Sequence, residues 1–95
     1  PYLAFAALLA AGVDGIEKTM KLEAPFEGDA YGAKKVREIP KTLRDATVTL
    51  DKSRLLRDAF GDDVIDHYVR AASWEQEEYD RKITDWEVAR GFERA

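Results

Sequence analysis

The first seventeen or so residues carry almost no polar interruption. Leu3, Ala4, Phe5, Ala6, Ala7, Leu8, Leu9, Ala10 and Ala11 place apolar side chains on every face of a helix expected over residues 2–18. A helix apolar all round belongs in the interior of a larger body rather than on a surface. Pro1 suits the first helical position, where its missing N–H costs nothing. Residues 19–41 hold no sustained period and include Pro25, Gly28, Gly32 and Pro40, so a long loop is expected there. Thr42 is placed to cap a short helix, and Asp51 or Ser53 a second, together covering 42–60. The Thr47-Val48-Thr49 run favours strand locally and competes with the first of these. Gly61 is the expected C-terminal stop. Asp62 and Asp63 then open a long helix over 62–90, their charges suited to its positive end. Ile65, Val69, Ala72, Tyr79, Ile83 and Trp86 recur at three- and four-residue steps and define one amphipathic stripe. Ile83 and Trp86 are its expected anchors. Thr84 followed by Glu87 has the spacing of a capping box, where a kink or restart fits.

The pattern therefore predicts an all-α chain of three to four helices with one long loop, treated as a single unit over residues 1–95. A hydrophobic content of 45% with 36% charged residues is that of a globular chain, not a disordered one. The opening apolar run is too short to cross a bilayer and has no basic lead-in, so neither a membrane span nor a secretory signal is expected. A buried-type helix starting at Pro1 leads to the expectation that a further domain precedes it. Without cysteine there is no disulfide framework or thiolate metal site, and a cytoplasmic setting fits.

Charge changes the picture in one respect. The first fifty residues balance seven basic against seven acidic side chains, whereas residues 51–95 carry eight against twelve, accounting for the whole net charge of −4. No basic face is apparent, so a nucleic-acid partner is not expected.

Candidate chemistry is thin. Glu75, Glu77, Glu78 and Asp80 scatter around a helix instead of converging, and read as a solvated face. His67 is the single histidine, with Asp63, Asp66 and Arg70 nearby in sequence; it reads as a surface side chain, because a general base needs a partner and a metal needs convergent ligands. Trp74, Tyr79, Trp86 and Phe92 have the spacing of core or interface residues more than of a stacking set. No phosphate-binding or dinucleotide loop is present in the sequence.

The segment Pro1-Tyr2-Leu3-Ala4-Phe5-Ala6-Ala7-Leu8-Leu9-Ala10-Ala11-Gly12-Val13-Asp14-Gly15-Ile16 resembles a signature of the glutamine synthetase family. Supporting matches follow in order: Gly28-Asp29-Ala30-Tyr31, Ile39-Pro40-Lys41-Thr42-Leu43-Arg44-Asp45-Ala46, and the stretch from Leu55 through Trp74. The resemblance implies the C-terminal helical part of that family's catalytic domain. It further implies a parent ligase that joins glutamate to ammonia or another amine with ATP, through γ-glutamyl phosphate. ATP and divalent cations (Mg2+ or Mn2+) serve the parent, which assembles as a ring-forming homo-oligomer. The family's metal carboxylates, ATP-binding residues and phosphate-binding arginines fall before the match begins, so no catalytic, cofactor-binding or metal residue carries over. The resemblance makes Tyr31 the candidate modification site, as the equivalent of a loop tyrosine adenylylated in some bacterial members. The regulated motif there reads Asn-Leu-Tyr-Asp-Leu-Pro, whereas this chain has Asp29-Ala30-Tyr31-Gly32-Ala33. The ending from Ile83 to Ala95 looks more like the γ-glutamyl-amine ligases of the family.

On either view these residues are expected to be structural and inactive alone, with helices that self-associate. The competing expectation is a free-standing helical module that dimerises through its first and last helices, with no catalysis.

Overall fold

The computed structural model describes residues 1–94, and among them every regular element is helical. Helix α1 runs Tyr2–Glu17, α2 Leu43–Asp51, α3 Arg54–Phe60, α4 Asp62–Asp80 and α5 Asp85–Arg94; a single 3₁₀ turn, Ala30–Gly32, interrupts the long loop.

Each boundary has a local cause. Pro1 starts α1 without a side-chain cap, its carbonyl accepting from the Phe5 N–H at 2.9 Å. At the other end the Met20 N–H returns to the Gly15 carbonyl and the Thr19 N–H to that of Ile16, the paired bonds of a Schellman motif. The motif needs a left-handed residue, and Thr19 takes it with φ of 49°. A β-branched residue there is strained, since its Cβ crowds the following carbonyl.

The Thr42 hydroxyl accepts from the Asp45 N–H at 3.1 Å and starts α2. The strand-favouring run at 47–49 is helical after all. Thr47 and Thr49 donate their hydroxyls to the Leu43 and Asp45 carbonyls, both at 2.8 Å, which holds them inside the helix. Ser53 caps α3 through the Leu56 N–H at 3.3 Å. Gly61, with φ of 88°, both ends α3 and precedes α4. Only glycine adopts that conformation at little cost, and it lets two helices meet across one residue.

The expected single helix over 62–90 is two helices. Helix α4 stops at Asp80, and α5 begins at Asp85 behind a reciprocal capping box. The Glu87 N–H donates to the Thr84 hydroxyl at 3.2 Å, while the Thr84 N–H donates to the Glu87 carboxylate at 2.7 Å. Once those donors are satisfied locally, continuing the helix through 81–84 gains nothing.

Helix α4 is the spine. Helices α2 and α3 pack on it and α1 packs on α3, while α5 takes part in none of these packings among the described residues. The radius of gyration is 18.7 Å, against about 12 Å for a compact domain of this length. Ile65, 3% exposed, is the one buried hydrophobic side chain among the described residues. The anchors expected at Ile83 and Trp86 are instead 77% and 69% exposed. Their stripe is real as a pattern, but among the described residues its last members, Tyr79, Ile83 and Trp86, stay exposed.

Candidate functional site

Two polar constellations and one apolar groove are the features that bring separate elements together. The tightest centres on Arg57 of α3. Its Nε donates to the Asp51 carbonyl at 2.7 Å and its Nη2 to the Asp51 carboxylate at 2.6 Å. Its Nη1 lies 2.8 Å from Asp62 and 2.9 Å from Asp66. One planar guanidinium thus ties the end of α2 to the first turns of α4, a task that needs several donors fixed in one plane. The surrounding carboxylates hold the Arg57 guanidinium far above its ordinary range, with Asp62 and then Asp66 the largest contributors. The sequence offers no signal for this cluster. Its members are spread over three helices, so no single helical period relates them all.

The second constellation spans α2 and α4. Arg44 reaches Asp80 at 2.7 Å, and the Gln76 amide donates to the other Asp80 oxygen at 2.9 Å. Arg44, followed by Gln76, holds the Asp80 carboxyl below the usual carboxylate range. These side chains line a shallow cleft with Thr47, Val48, Ser73 and Glu77.

The groove runs between α1, α3 and α4. Leu3, Ala4, Ala7, Leu50, Phe60 and Tyr68 line it with Ile65, enclosing about 270 Å³ with almost no polar surface. Elsewhere on α1, Leu8 and Leu9 are 72% and 70% exposed.

The residues singled out from sequence do not converge. In the acidic cluster, Asp80 turns to Arg44 while Glu78 pairs with Arg81 at 2.7 Å. Among the described residues no group of three or more His, Cys, Asp or Glu is placed to hold a metal ion. His67 lies edge-on to Tyr68, with ring centroids 5.3 Å apart, and Asp66 is engaged by Arg57 instead. Trp74, Tyr79, Trp86 and Phe92 are all exposed and form no stack with one another. Arg90 sits 6.0 Å from the centre of the Trp86 ring. Tyr31 lies fully exposed on the 3₁₀ turn, which Asp29 caps by accepting from the Tyr31 N–H at 3.0 Å. Among the described residues no helix is long and apolar enough to cross a membrane.

The described residues thus form an all-helical segment whose polar clusters join helices and whose apolar side chains on α1 remain exposed. The model of the glutamine synthetase catalytic domain matches residues 1–91, and the chain belongs to the glutamine synthetase family, as a C-terminal part of that domain. A gamma-glutamylethanolamide synthetase of Streptomyces coelicolor is 46% identical over 94 residues, covering 99% of this chain and 20% of that protein. The glutamine synthetase of Thermus thermophilus is 36% identical over 97 residues, covering 95% of this chain and 22% of its own. A glutamate–methylamine ligase of Methyloversatilis universalis is 35% identical over 94 residues, covering 92% and 21%. The chain therefore spans about a fifth of the length of the curated relatives it matches.

Proposed function

We propose that these residues are the helical C-terminal part of an ATP-dependent ligase that joins glutamate to an amine through γ-glutamyl phosphate, and that their own contribution is architectural. The match over residues 1–91 carries the proposal. The physical picture supports it: α1 offers an apolar face that no other helix here covers, as suits an element packed inside a larger catalytic domain. ATP and Mg2+ or Mn2+ belong to the parent's chemistry. The described residues supply no ligand set that fits a metal, so no step of phosphoryl transfer is drawn through them. Such transfer depends on positioning and charge neutralisation, which the parent's other residues provide. The parent is a cytoplasmic ring-forming homo-oligomer with neither nucleic acid nor membrane as partner.

The 46% identity to a gamma-glutamylethanolamide synthetase supports the amine-ligase reading, while a glutamate–methylamine ligase at 35% and a glutamine synthetase at 36% do not separate the two classes. The test is ADP release by the full-length protein with glutamate, Mg2+ and ethanolamine, methylamine or ammonia, run beside the 95-residue chain. The expected result is turnover by the parent, faster with an organic amine than with ammonia, and none by the chain alone. Catalysis by the chain alone overturns the architectural reading; preference for ammonia overturns the amine reading.

Tyr31 is the proposed modification site of the parent, because it stands fully exposed on a capped turn. Intact-mass and peptide analysis of the protein from its native host, under nitrogen excess, is expected to show a nucleotide adduct on the peptide containing Tyr31. An unmodified peptide under both nitrogen excess and limitation removes the assignment.

A further inference from the structure

We draw no further inference here: the strongest candidate, the apolar groove over Ile65 between α1, α3 and α4, is an unpartnered surface, and nothing in the structure shows what covers it.

Discussion

Arg57 shows how much of this chain's cohesion depends on a single side chain. With so little apolar burial, the angle between α2, α3 and α4 relies on its bonds to Asp51, Asp62 and Asp66. Lysine offers one ammonium in place of a planar fork and cannot reach all three carboxylates at once. Arg57→Lys is therefore expected to lower the thermal midpoint of the chain clearly, while Arg54→Lys, which removes none of these contacts, leaves it nearly unchanged. Circular dichroism melts of both variants check this, and equal midpoints would sink the idea. At this scale the sequence was legible where a residue acts on its immediate neighbours. Thr42, Ser53 and Gly61 sit at the helix ends that their chemistry marks. Arg57 was not legible, because its partners lie six, five and nine positions away across turns. Thr19 was not either, since nothing in the sequence places a threonine in a left-handed position that glycine usually fills.

Among the elements, the break between α4 and α5 is the instructive one. The apolar period runs straight across it because residues 81–84 are about one helical turn long, which preserves the phase of the stripe. The capping box at Thr84 and Glu87 was the correct signal, and periodicity alone concealed the stop. That box is also sensitive to acid. The Thr84 backbone N–H, followed by the Thr84 hydroxyl, holds the Glu87 carboxyl below its ordinary value. A folded pKa below the unfolded one stabilises fully above the unfolded value and is lost as pH falls through the folded value. The start of α5 should therefore be constant from neutral pH down to the ordinary glutamate range and loosen as pH falls on through the lowered folded value. Amide chemical shifts of Thr84 and Glu87 through an acid titration report it, with Glu87→Gln flattening the response. A titration midpoint at or above the ordinary glutamate value would contradict the assigned bond. The sequence also suggested a strand at Thr47-Val48-Thr49; threonine's ability to bond back to the preceding turn, repeated at 47 and 49, overrides that preference.

At the scale of the whole molecule, an amphipathic pattern states that a face will be covered but not by what. The sequence therefore marked Ile65, Tyr79, Ile83 and Trp86 alike, and the chain buries the first and exposes the others. Trp86 separates a chain that is complete in itself from one whose helices pack within a larger catalytic domain. In the isolated chain Trp86 is 69% exposed, so Trp86→Ala should change stability by under about 0.5 kcal/mol, in the range of ordinary surface substitutions. In the full-length ligase proposed here, Ile83, just before α5, and Trp86, within it, are the expected anchors of this end of the chain against the rest of the protein. Truncating a buried tryptophan there costs about 3–5 kcal/mol through lost burial and the cavity left behind. That is a large part of what a typical domain has to lose. Urea denaturation of the variant in both contexts measures the difference directly. A large loss in the parent with almost none in the isolated chain supports the architectural role of α5. An unchanged midpoint in the parent accompanied by loss of ligase activity would instead make Trp86 a contact of the substrate site.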